Sequence, residues 1–301
     1  MTSTAVLINP ARVSNLVSVR RLILRALAEE GWPEPLWLET SPDETGERQA
    51  RLAVSRGAAV LFVCGGDGTV LAAVAALSGS ETALAVIPSG TGNVLALNLE
   101  LPSDVASAVR LATRGDRRRI DLGVVEGRPF TVAAGMGLDA QVLADTPHRV
   151  KRRLGWPAYV SSGLRRIGDP RFRVSLRVDG GEPVVREVRS VLVANVGRFP
   201  GGFNLLPEAV PDDGLLDVAL IAPHRLRDWV KLLVSVRGRH PRGGRMETMR
   251  GKVVEVATDE PWPREMDGDP LSSGTSLAVS VLPLALTVCV PRATSRPGLH
   301  K

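Results

Sequence analysis

The 301-residue sequence has two cysteines, four histidines and a single tyrosine. Cys64 and Cys289 stand in apolar, strand-like runs, which excludes a disulfide framework; both read as reduced core residues. The histidines at 148, 224, 240 and 300 lack zinc-ligand spacing. Aromatic residues make up 4% of the chain, which argues against base-stacking platforms, and no nucleic-acid partner is expected. No basic n-region or long apolar run follows the N-terminus MTSTAVLINPARV, so it does not read as a signal peptide. The longest apolar run near the C-terminus, VSVLPLALTVCVP, is interrupted by Pro283 and is too short to span a bilayer. A soluble, cytoplasmic protein is expected.

Lysine is scarce as well, because arginine supplies most of the 38 basic residues. These stand against 32 acids and give a formal net charge of +6. Such a balance suits an anionic partner such as a membrane surface, although the arginine bias of a GC-rich genome explains it equally. At 44% hydrophobic and 23% charged, the composition is that of a globular chain long enough for two domains or one large α/β unit. There are no internal repeats and no low-complexity segment beyond the tail RATSRPGLHK.

Apolar runs alternate with helical periodicity through the first half. Strands are predicted at 5–8, 35–40, 58–64 and 83–88, with helices at 16–27, 44–56, 69–77, 92–99 and 103–113. This alternation points to a parallel sheet with right-handed crossovers. Near residue 118 the pattern changes. RIDLGVVEGRPFTVAAG reads as a hairpin around Glu126-Gly127, and alternating strands follow at 172–196, 214–221, 252–258 and 276–281. Two stretches read as helical, a basic one at about 141–168 and another at about 224–238. The expected organisation is an α/β domain over 1–120 and a β-rich domain over 121–291 with a basic helical insertion. Its last strand is free to return to the first domain, and 292–301 form a tail.

Two glycine loops stand out. Gly65-Gly66-Asp67-Gly68-Thr69 follows one strand and opens a helix; Ser89-Gly90-Thr91-Gly92-Asn93 does the same after the next strand. Glycines at a strand-to-helix junction expose backbone N–H groups at the positive end of a helix dipole, where phosphate is the natural guest. Asp67 is unusual beside an anion. Either a Mg²⁺ ion between Asp67 and nucleotide phosphates resolves the repulsion, or Asp67 caps the helix that starts near Thr69. Both loops lie at strand C-termini, the edge where open α/β sheets bind ligands. Neither is a Walker A loop, neither matches the dinucleotide fingerprint after the first strand, and PSGTGN is not a nucleophile elbow.

GGDGTV followed by PSGTGN resembles the catalytic domain shared by diacylglycerol kinases, sphingosine kinases and bacterial lipid kinases. The resemblance extends along the chain through LINP (7–10), RRIDLG (118–123), AGMGLDA (134–140), PDDGLLDV (211–218) and MDGDPL (266–271). It implies an α/β nucleotide-binding domain related to phosphofructokinase and NAD kinase, followed by a β-sandwich domain, with the active site in the cleft between them. It also implies ATP and Mg²⁺ as cofactors and a lipid hydroxyl, such as that of diacylglycerol, as phosphoryl acceptor. By the same resemblance, Asn9 and Thr40 line the nucleotide pocket. Gly65, Gly66, Asp67, Gly68, Thr69 and Val70 hold phosphates, and Gly90, Thr91 and Asn93 complete the other side. Asp213 and the carbonyl of Leu215 match a structural Mg²⁺ site, with Asp212 as helper. Asp139 matches an acid near the reaction centre, and either Asp267 or Asp269 is the general base, Asp269 being preferred.

The chain departs from the family pattern at three places. Asp269 stands where glutamate is usual and loses one methylene of reach. Val94 replaces an aspartate that often follows Asn93. Ala11-Arg12 replaces a Ser-Gly that often follows the Asn-Pro turn, which makes Arg12 and Arg20 candidates for a phosphate contact. Asp267-Gly268-Asp269 by itself also reads as a plain hairpin turn. The basic stretches 148–171 and 225–245, with Trp156 and Trp229, either dock on anionic phospholipid at the inner membrane face or form a solvated basic face. Two other functions stay open: an NAD kinase-like enzyme for a soluble acceptor, and a non-catalytic lipid-binding protein with a decayed site. The oligomeric state is open too, a homodimer included.

Overall fold

The computed structural model describes residues 3–41, 43–137, 171–235 and 246–292. The basic helix predicted at 141–168 lies outside these residues. The chain divides into two compact units, one formed by Met1–Ile120 with Ala285–Lys301 and the other by Asp121–Leu284.

The first unit alternates strand and helix. Its elements are β1 (Thr4–Ile8), α1 (Leu16–Glu29), β2 (Leu36–Glu39), α2 (Glu47–Ser55), β3 (Val60–Gly65), α3 (Asp67–Leu77), β4 (Ala83–Pro88), α4 (Val94–Asn98) and α5 (Val105–Arg114). β1 pairs in parallel with both β2 and β3, and β3 pairs in parallel with β4. A further parallel neighbour of β4 arrives from far along the chain, through Val288↔Leu84. Every residue of β1 and β3 is buried, as expected for strands covered on both faces. Alternate residues divide between those faces. Val6, Ile8, Val60, Phe62, Cys64, Ala83, Ala85 and Ile87 join one core cluster with Ile23 and Leu27 of α1 and Val109 of α5. α2 and α3 pack on each other and on the sheet. Helix α1 begins where the Asn15 side chain accepts the Ser18 N–H (2.9 Å), and it ends before Gly31, whose φ of +70° suits only glycine comfortably.

The second unit is antiparallel. β5 (Asp116–Val125) enters it and turns through Glu126-Gly127 into β6 (Arg128–Phe130). Then come β7 (Ala133–Gly137), β8 (Phe172–Val178), β9 (Val184–Val188), β10 (Ser190–Ala194), β11 (Arg198–Phe199), β12 (Phe203–Asn204) and β13 (Leu216–Ile221). α6 (Leu226–Ser235), β14 (Met246–Gly251), β15 (Val253–Met266) and β16 (Asp269–Val290) complete it. The strand order is β14-β13-β10-β7-β15-β16, with β8 and β9 attached through β15. Phe172 stacks on Trp262 with ring centroids 4.3 Å apart.

The segment that reads as two runs broken by proline is instead one 22-residue strand, β16. The chain passes Pro283 by placing Leu284 at φ +48°, a left-handed residue whose N–H donates to the Asp121 carboxylate (2.7 Å). The left-handed residue after the proline is thus held by a buried acceptor.

Candidate functional site

In the first unit, the ends of β3 and β4 lie side by side, with Gly65 paired with Pro88. The two glycine loops therefore leave the sheet together, and they touch backbone to backbone. A Cβ on Gly90 would lie 2.6 Å from the Cα of Gly66, and one on Gly65 would lie 2.6 Å from the Thr69 side chain. Gly90 is thus required by the approach of one loop to the other, and Gly65 by the fold of its own loop onto Thr69. A Cβ on Gly68 would meet nothing within 4 Å, so that backbone is open to a guest.

Asp67 joins the loops. Its carboxylate accepts the N–H groups of Asn93 (2.9 Å) and Val94 (2.7 Å). It does not cap its own helix, because α3 has Gly66 at its N-cap and no side-chain cap. The capping expectation thus needs correction: Asp67 caps α4, one loop away. Asn93 sits in the left-handed region (φ 46°) and folds its amide back on Gly90, accepting the Gly90 N–H and donating to the Gly90 carbonyl. Asn9 donates to the Thr69 hydroxyl (3.1 Å) and accepts the Ala11 N–H, so the turn after β1 is tied to the first glycine loop. Thr40 is buried and its N–H donates to the Ile8 carbonyl; Val70 is buried and Thr91 exposed. Asn9, Gly65–Val70, Gly90, Thr91 and Asn93 thus share the end of one sheet. Arg20 is engaged elsewhere, paired with Glu39 and lying over Trp37. Burial raises the Cys64 thiol pKa and pushes Cys289 up to about 11, which makes both inert core residues.

In the second unit, Asp267 and Gly268 form the two-residue turn between β15 and β16, both with positive φ, and Met266 pairs with Asp269 across it. The Asp267 carboxylate turns inward. One oxygen accepts the Thr131 N–H and hydroxyl, the other the N–H groups of Val132 and Ala133, all at 2.9–3.0 Å. Burial pushes its carboxyl up to about 6 against the pull of these donors. With four donors, Asp267 anchors residues 131–133. Asp269 is exposed on the same turn. Asp139 lies outside the described residues.

The predicted metal loop is held by other means. Asp213 accepts the Leu215 N–H (3.0 Å) and pairs with the Arg250 guanidinium. Arg250 also meets Asp217 (3.0 Å) and donates to the Glu208 carbonyl (3.3 Å). Burial pushes the Asp217 carboxyl pKa up, and the Arg250 charge opposes it. Asp212 lies on the same turn. Among the described residues, no group of three or more His, Cys, Asp and Glu side chains is arranged to hold a metal. At Asp213, which the resemblance assigns to Mg²⁺, the cation beside the carboxylate is the Arg250 guanidinium.

Sequence reasoning missed Asp121. It is fully buried in the run IDLGVV, accepts the N–H groups of Gly214 and Leu284 (both 2.7 Å), and donates its own N–H to the Pro211 carbonyl. A carboxylate inside an apolar strand is costly to bury unless it is hydrogen-bonded, and that was the available signal. Asn195, also fully buried, donates to the carbonyls of Asp121 (2.9 Å) and Thr131 (3.3 Å), which links the two anchored turns.

Residues 4–125 match the family described as the diacylglycerol kinase catalytic domain, and residues 131–290 match the YegS C-terminal NAD kinase beta sandwich-like domain. A protein of Chromohalobacter salexigens named "Probable lipid kinase YegS-like" is 33% identical over 259 residues, 83% of this chain and 82% of that protein. This chain belongs to the YegS-like lipid kinase family. A Pseudomonas aeruginosa protein of the same name is 33% identical over 84% of this chain and 83% of its own length. The fold of the kinase matches a crystal structure of a diacylglycerol kinase from Bacillus anthracis, with a TM-score of 0.79 and 21% identity, covering 96% of this chain and 97% of that one. It also matches an NAD kinase from Archaeoglobus fulgidus solved in complex with ATP, with a TM-score of 0.53 and 13% identity, covering 95% and 93%. At these identities the two structures establish the fold alone. The kinase thus combines an α/β diacylglycerol kinase catalytic domain with an NAD kinase-like β-sandwich domain, the fold of diacylglycerol kinases and NAD kinases. No helix among the described residues is long and apolar enough to cross a membrane.

Proposed function

We propose that this kinase transfers the γ-phosphoryl group of ATP to a hydroxyl of diacylglycerol or a related lipid. The observation that carries the reading is the joining of the two glycine loops at the ends of β3 and β4. Backbone contact at Gly66 and Gly90 and the Asp67 carboxylate hold them together. Phosphoryl transfer leaves little covalent work for the protein, which positions groups and neutralises charge. The open backbone at Gly68 and the uncapped first turn of α3 are suited to phosphate oxygens. Mg²⁺ is proposed to arrive as the counter-ion of the nucleotide, and no carboxylate of this chain is assigned to it.

Asp269 is the proposed general base. It accepts the proton of the lipid hydroxyl as the oxygen bonds to phosphorus and the bond to the ADP oxygen breaks, a role that contributes about 10²–10⁴-fold. Its exposure on a turn held by Asp267 keeps it reachable while its backbone stays fixed. The basic sequence stretches are proposed to dock the enzyme on anionic phospholipid.

The test is transfer of γ-labelled ATP with Mg²⁺ into mixed micelles of diacylglycerol, monoacylglycerol, ceramide, sphingosine or phosphatidylglycerol, with NAD as the soluble acceptor. Wild type is run beside Asp269→Asn. The expected result is label in one lipid, lost at least 100-fold in the variant with its melting temperature unchanged. Label in NAD would replace the lipid acceptor with a soluble one, and ATP binding without transfer would make this a non-catalytic lipid-binding protein.

A further inference from the structure

The segment Pro211–Val218 has the sequence of a metal loop, yet its carboxylates already face a cation of this chain. Arg250 stands directly opposite Asp217 in the β13–β14 register, so the strand pairing itself delivers the guanidinium. From there it meets Asp213 at the turn, Asp217 in the strand at 3.0 Å, and the Glu208 carbonyl at 3.3 Å. Two carboxylates and a backbone carbonyl are a donor set for a hard divalent ion. A guanidinium, with five N–H groups in a rigid fork, can satisfy the same set. The turn is also shaped without any ion. Asp121 holds it from beneath through the Gly214 N–H and the Pro211 carbonyl, and Asp213 closes it on the Leu215 N–H.

We propose that Arg250 is the resident cation of this loop and that the loop takes no divalent metal. A divalent ion would have to part the guanidinium from both carboxylates, and Asp217 is only 5% exposed. Arg250 is itself exposed, yet removing its charge would leave the buried Asp217 carboxylate without its cation, which is destabilising. The inference does not depend on which acceptor the kinase uses, and its test uses no nucleotide and no turnover.

Melting temperatures of the full-length wild type, Asp213→Asn and Arg250→Met are compared in EDTA and in millimolar Mg²⁺, with Mn²⁺ titration followed by electron paramagnetic resonance. The wild type is expected to melt at one temperature in both solutions, and its Mn²⁺ isotherm to match that of Asp213→Asn. Arg250→Met is expected to melt about 5–10 °C lower in EDTA. A Mg²⁺-dependent rise in the wild type that Asp213→Asn abolishes would overturn the proposal. So would an Arg250→Met protein as stable as wild type in EDTA. Should Arg250→Met fail to fold, the wild-type and Asp213→Asn comparison decides alone.

Discussion

Replacing Asp67 by alanine removes the acceptor of two amides at once, those of Asn93 and Val94 at 2.9 and 2.7 Å. A hydrogen bond to a charged acceptor contributes about 1.5–3 kcal/mol. Asp67 is half-buried, and water reaches the vacated amides, so the loss is set near the lower end, at about 2–4 kcal/mol for the pair. Gly92 supplies the control. A Cβ there would sit 2.6 Å from the Asp67 carboxylate oxygen, so Gly92→Ala in the wild type forces the two apart at about 1–3 kcal/mol. In the Asp67→Ala background the obstructing atom is absent. The double variant is therefore less destabilised than the sum of the singles, by about 1–2 kcal/mol. The assay is urea unfolding of the four proteins alongside nucleotide binding, which Asp67→Ala is expected to lose. Additivity within about 0.5 kcal/mol, or an Asp67→Ala protein of wild-type stability and affinity, would refute the loop-joining role.

Gly90→Ala would press a Cβ to within 2.6 Å of the Gly66 backbone, and it should weaken nucleotide binding at least tenfold in a calorimetric titration. The Asp267 carboxyl, pushed up to about 6 in the fold from an ordinary 3.8, implies a pH dependence with a definite sign. Between those values the folded protein holds a proton that the unfolded chain has released. Stability should therefore fall by up to about 3 kcal/mol as pH rises from about 4 to 6. Asp267→Asn should flatten that slope in urea unfolding, and a slope unchanged in the variant would assign it to another group. Binding to anionic vesicles should weaken as salt rises, since exposed charges are screened within about 10 Å at 0.1 M; salt-independent sedimentation with the vesicles would remove the docking role of the basic stretches.

The parallel sheet was legible because its central strands are buried on both faces. VLFVCG and ALAVIP leave no polar residue to argue otherwise, and the glycine clusters mark where each strand stops. The Glu126-Gly127 turn was legible for a local reason too, since Gly127 readily takes the left-handed position (φ 76°) that a two-residue hairpin turn needs. The partners of these acids were not legible. Asp67 meets residues in the next loop, Arg250 meets Asp217 through strand register, and Asp267 reaches back to Thr131. Pairings of that kind leave no trace in spacing or periodicity, because the fold brings the partners together. The proline at 283 misled for the opposite reason. Its local signal is strong, but Leu284 and the Asp121 carboxylate absorb the break.

The return of residues 285–290 to the first unit bears on how the protein is made. Val288 and Cys289 are fully buried, and Cys289 belongs to the same core cluster as Phe62 and Ile23. During synthesis from the N-terminus, β4 waits with one edge unpaired while the whole of the second unit emerges. An unpaired parallel edge with an incomplete core is a template for wrong partners. The unit that carries the glycine loops is thus completed by residues translated after the second unit, and its core closes late.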